Sequence, residues 1–176
     1  MIIMKPMKAG FAKACITPPL GMAMEGLGQA QGCESVHDDL FIRALWLHQG
    51  DEIAVIFGCD LLFFEQPTVD RFKTALGKQL GLGPGRIFLT FSHNHAGPRL
   101  TRWAYSDGPD PAYLDLIEKA LIDTAGKARV TQREVTLRAG IARTRLPVSR
   151  RKIDSQGKVQ WAPYRAGFIY DQVPFC

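Results

Sequence analysis

The chain has 176 residues, 46% hydrophobic and 22% charged, with a formal net charge of +5. This length supports one domain with a sizeable core, and the composition is that of a soluble globular protein, not a disordered or fibrous one. The basic excess gathers late, at Arg138, Arg143, Arg145, Arg150, Arg151 and Lys152; it lacks the aromatic interleaving of a nucleic-acid surface, so a solvated basic face with a local anion site is expected and nucleic-acid binding is not.

In chain order, Met1 to Lys8 lacks the sustained apolar stretch of a secretory signal, and no run reaches the length of a membrane span, so a cytoplasmic location is expected. Lys8 to Thr17 alternates as a strand and stops at Pro18-Pro19. A loop with Gly21, Gly26 and Gly28 follows, its glycines suited to tight backbone or to close approach of a ligand. Asp39–Leu47 and Glu52–Leu62 read as two strands joined by a hairpin at His48-Gln49-Gly50-Asp51. The second, nearly all apolar through Cys59, suits a central strand and ends in Asp60, a cap or hydrogen-bond anchor. Val69, Phe72, Leu76 and Leu80 recur at helical steps over Pro67–Leu80, and Gly81 ends the run.

Ile87–Phe91 is a further apolar strand, followed by Ser92-His93-Asn94-His95-Ala96-Gly97-Pro98. Two of the four histidines thus stand one residue apart where a strand ends, at the rim of a sheet. Neutral imidazole is both a common metal ligand and the usual acid or base near neutral pH. If the strand continues, His93 and His95 face one cavity. If the chain bends, one can bind a metal while the other contacts substrate. The plainer alternative is one histidine capping the strand and the other solvated. Two ligands are fewer than a zinc site requires.

Arg99–Asp110 is a loop whose Trp103 and Tyr105 suit packing as well as binding. Pro111–Ala128 is a second helix, with Asp110 as N-cap and Leu114, Ile117, Leu121 and Ala125 as its core stripe. Glu134–Ile141 reads as one strand, Asp154-Ser155-Gln156-Gly157 as a turn, and Phe168–Cys176 as the start of another strand. The order predicts a single α/β domain over 1–176, a mixed β-sheet flanked by helices. Its sheet looks like an incomplete front portion of a larger domain, with an open edge that invites self-association. The four cysteines form no metal or disulfide pattern; Cys15 and Cys59 look like small buried hydrophobes.

Several of these segments together resemble the N-terminal, catalytic domain of the neutral/alkaline ceramidase family. They are Gly10–Pro19 followed by Gly21, Met24, Gly26 and Gly28; His37-Asp38-Asp39-Leu40 with Arg43-Ala44-Leu45; Cys59-Asp60-Leu61-Leu62; Ser92–Pro98; and Pro147-Val148-Ser149-Arg150-Arg151. The resemblance runs in order over nearly the whole chain. It implies a zinc-dependent amide hydrolase acting on a small amide or lipid-like substrate, with His93 as a zinc ligand and His95 as the catalytic residue on the substrate side. Gly26 and Arg150 become substrate-binding candidates. His37, Asp38 and Asp60 become candidates for orienting the ligands by hydrogen bonds. The family's remaining zinc ligands, a second His, a Glu and a Tyr, come from later in that domain, and no histidine follows His95 here. The competing reading is a non-catalytic ceramidase-like fold that binds a small ligand or a protein partner. A third, Cys33 or Cys59 acting as a nucleophile with a histidine, has no local signature.

Overall fold

The structure, a computed structural model, describes residues 6–26, 32–102 and 107–176. Trp103, Tyr105 and Gly28 lie outside them. The chain forms two compact units, Met1–Val135 and Thr136–Cys176.

The first unit is built on a five-stranded mixed sheet. Its strands are β1 (Met7–Cys15), β3 (Phe41–Gln49), β4 (Glu52–Cys59), β5 (Ile87–Phe91) and β7 (Arg133–Val135), in the order β5-β4-β3-β1-β7. Two further strands, β2 (Met24–Glu25) and β6 (Gly97–Pro98), pair with each other in a separate ribbon. β3 and β4 form the expected hairpin, with Gly50 in the left-handed region of its tight turn. β4 and β5 are parallel, joined through helix α1 (Gln66–Leu80), while the other pairs are antiparallel. Helix α2 (Pro111–Val130) is capped by Asp110, whose side chain accepts from the amides of Ala112 and Tyr113. It ends against β1, where Gly10 leaves room for the Ala128 carbonyl that any β-carbon would strike.

The helices cover one face of the sheet. Ile42, Ala44 and Trp46 of β3, with Val55, Phe57 and Cys59 of β4, pack there against Phe72 and Leu76 of α1 and the predicted α2 stripe. The opposite face carries an apolar row across four strands. Phe11 pairs with Leu45, Leu45 with Ile56 and Ile56 with Phe88. Phe11 and Phe88 remain 56% and 49% exposed. Cys15 lies on this uncovered face and is exposed, not a buried hydrophobe, because odd-numbered positions of β1 point away from the helices.

The second unit holds two antiparallel pairs: β8 (Gly140–Arg143) with β11 (Gln172–Phe175), and β9 (Ser149–Ile153) with β10 (Val159–Tyr164). The β9–β10 turn is the predicted one, its Gly157 at positive φ. The expected strand Glu134–Ile141 is in fact two. Its front part joins β1 only as far as the Val135–Met7 pair, since Pro6 has no amide hydrogen to extend the ladder. Its rear part pairs with β11 instead.

Candidate functional site

β5 ends at Phe91, and two backbone bonds hold the following loop beside the end of β4. They run from the Ser92 amide to the Cys59 carbonyl at 3.0 Å and from the Asn94 amide to the Leu61 carbonyl at 3.2 Å. His93 then takes φ 59°, the sole non-glycine residue at positive φ among those described. Such backbone is uncommon outside glycine and clusters at functional sites. The strand therefore does not continue: the chain bends, and the two imidazoles meet edge to face with centroids 4.8 Å apart. The Phe63 ring stacks on that of His93, centroids 6.3 Å apart. The side chain of Asn94 makes the bend; its Oδ1 accepts the Ala96 amide at 2.9 Å, closing a local turn.

His95 is fixed from a different segment. Its Nδ1 lies 3.0 Å from the Gly26 carbonyl oxygen. A carbonyl only accepts, so Nδ1 carries the hydrogen and Nε2 keeps its lone pair in the neutral ring. Neutral His95 can therefore take a proton or bind a cation at Nε2; to polarise a carbonyl it must first be protonated. Gly26 has φ +124°, and a β-carbon there would come within 2.6 Å of the His95 Cα and carbonyl oxygen. A glycine is required because two backbones touch.

Gly26 and His95 close a short ladder. The Arg99 amide donates to the Ala23 carbonyl, Met24 pairs with Pro98, and Glu25 pairs with Gly97. Glu25 is 1% exposed, and its Oε2 accepts the Thr101 hydroxyl at 2.8 Å. Burial pushes its pKa above the usual carboxylate value; the Thr101 hydroxyl, the Leu100 and Thr101 amides and the Arg99 charge only partly offset this. Beside the ladder opens a cleft of about 850 Å³ whose lining includes Met24, Cys33, His37, Asp38, Asn94 and Ala96.

The remaining candidates have other partners. His37 and Asp38 sit exposed at the cleft rim and bond to each other, Nδ1 to Oδ2, at 2.7 Å. Asp60 anchors the start of β3, accepting the Phe41 amide at 3.0 Å and Arg43 at 2.8 Å. None of the three hydrogen-bonds to His93 or His95 among the described residues. Arg150 belongs to the second unit, where it and Arg151 stand over the Trp161 ring at 5.1 and 5.0 Å. Cys59 is no nucleophile: desolvation, with Asp60 adding to it, pushes its thiol up to about 12. Glu25, Thr101, Phe63 and Asn94 are absent from the sequence-based set; for Asn94 the Asx-turn habit was the available signal.

The fold, a mixed sheet with two helices carrying paired histidines at a strand end, is a ceramidase-like α/β fold. It superposes on the neutral ceramidase from Pseudomonas aeruginosa with a TM-score of 0.73 and 20% identity, over 84% of this chain and 25% of that one. A ceramidase structure complexed with C2 matches at TM-score 0.71 and 17% identity, over 88% of this chain and 30% of that one. The chain thus spans under a third of the length of these structures. No family model matches the sequence, and no curated protein matches it. No helix among the described residues is long and apolar enough to cross a membrane.

Proposed function

We propose that this chain carries the His93 and His95 part of a ceramidase-like, zinc-dependent amide-hydrolysing site for a small amide or lipid-like substrate. The observation that carries the reading is the pair itself: two imidazoles 4.8 Å apart on a strained bend, one held in a single tautomer by Gly26, within a ceramidase-like fold. His93, whose ring nitrogens make no hydrogen bond among the described residues, is the metal-ligand candidate. His95 serves the substrate side, moving a proton at Nε2. A bound zinc would supply a water acidic enough to ionise near neutral pH. Two imidazoles fall short of the three protein ligands of a catalytic zinc, and no group of three His, Cys, Asp or Glu stands together among the described residues. These residues alone do not make a catalytic zinc site.

That short donor set favours a second reading, a ceramidase-like fold that binds a ligand in the cleft beside His37 and Asn94 without catalysis. Zinc titration followed by the ring signals of the histidines separates the two. The hydrolase reading expects zinc, in a protein that also supplies the missing ligands, to shift both His93 and His95, with the shifts lost in His93→Asn. If zinc moves neither ring even there, the hydrolase reading fails and the ligand-binding reading stands.

A further inference from the structure

We infer that Glu25 is the positioning residue of His95: its buried carboxyl, tied to Thr101, locks the ribbon that holds the Gly26 carbonyl against the imidazole. A carboxyl 1% exposed is unusual, since burying such a group costs free energy unless it is fully partnered. Here Oε2 has the Thr101 hydroxyl and the carboxyl lies beside the Leu100 and Thr101 amides, while Oε1 is buried with no hydrogen-bond partner of good geometry among the described residues.

β2 and β6 are two residues each, and a ribbon so short is not stable by itself. Its successive rungs are Ala23–Arg99, Met24–Pro98, Glu25–Gly97 and then Gly26–His95, the last made by the imidazole and not by backbone. The Glu25 side chain crosses this ladder to Thr101, which is fully buried, and so joins segments 76 residues apart in sequence. With that tie cut, Gly26 would be held through the two backbone pairs, the Arg99–Ala23 bond and, on the other edge, the pairing of Met22 and Ala23 with Cys33 and Gly32, all of them on the N-terminal side of its carbonyl. The consequence for amide hydrolysis rests on the function proposed above; the effect on the ring does not, and it is read without metal or substrate.

The test is long-range proton–nitrogen NMR of the histidine rings in the metal-free 176-residue chain. In the native protein His95 should carry its hydrogen on Nδ1. His48 supplies an internal reference of opposite tautomer, since its Nε2 lies 2.9 Å from the Gly50 carbonyl. Glu25→Ala should abolish the Nδ1–H preference of His95 and leave His48 unchanged. Glu25→Gln, which keeps an acceptor for Thr101, should restore it. A folded Glu25→Ala protein whose His95 keeps Nδ1–H overturns the inference, as does a change in which His48 follows His95. If Glu25→Ala fails to fold, Glu25→Met, which keeps the length of the side chain and removes both acceptor oxygens, decides: loss of the His95 preference supports the role, and an unchanged ring rejects it.

Discussion

The two units hold their strands together by the same hydrogen bonds yet differ in what lies behind them. In the first, a five-stranded sheet presses one face against two helices, and every buried core residue belongs to it. In the second, 41 residues form two strand pairs and none is buried. The charge divides as unevenly. Residues 136–176 carry eight Lys and Arg against Asp154 and Asp171, so the net positive charge of the whole chain resides there. Turn chemistry and pairing suffice to form a hairpin, as Asp154 and Gly157 do between β9 and β10. They do not supply the burial that makes a hairpin stable alone.

The sharpest test of this contrast is a pair of large-to-small substitutions. Phe57→Ala empties a site at 0% exposure and should cost about 3–5 kcal/mol in a denaturant titration. Trp161→Ala removes a larger ring that is 71% exposed and should cost less than about 0.5 kcal/mol. Comparable costs would mean that the second unit has a core after all. Next in size is Gly26→Ala, which forces a β-carbon to within 2.6 Å of the His95 backbone at φ +124°. It should destabilise the first unit by about 1–3 kcal/mol. It should also release His95 from the Gly26 carbonyl, visible in the ring spectrum. Removing the α2 cap with Asp110→Ala should cost about 1 kcal/mol by thermal melting.

The gentlest effect is on pH dependence, where the units point in opposite directions. Glu25 has a raised pKa when folded, so its contribution is complete below the unfolded value near 4.5 and is lost as pH rises through the folded value. Asp154 of the second unit is lowered, chiefly by its bond to Gln160 and then by the Lys158 amide. Its contribution has the reverse sign and, at the surface, is screened by solvent. The stability difference between the native chain and Glu25→Gln should shift against the native chain as pH rises above about 4.5. An identical profile would mean that Glu25 ionises as freely as an exposed carboxylate.

Much of the first unit was legible in the sequence because its signals are local. Asp110-Pro111 with a helical apolar stripe places α2, and Gln49-Gly50-Asp51 between apolar runs gives the hairpin. The His-Asn-His bend could be located at a strand end, although which way it turned could not be read, since Asn94 and the φ of His93 decide it. Glu25 was illegible for a physical reason. A glutamate in a glycine-rich loop reads as a solvated charge, and only Thr101, far along the chain, makes it a buried one. The division of 134–141 escaped for a related reason: its alternation is continuous, and only the reach of β1 breaks it.

The left-handed backbone at His93 has a consequence for how its imidazole can be removed. Alanine deletes the ring but keeps the β-carbon that makes this conformation costly, without the polar atoms by which His and Asn tolerate it, so the loop would shift along with the chemistry. Asparagine tolerates the same φ far better than most residues and brings no imidazole. His93→Gly would relax the bend altogether. Comparing the three separates the shape of the loop from the chemistry it presents.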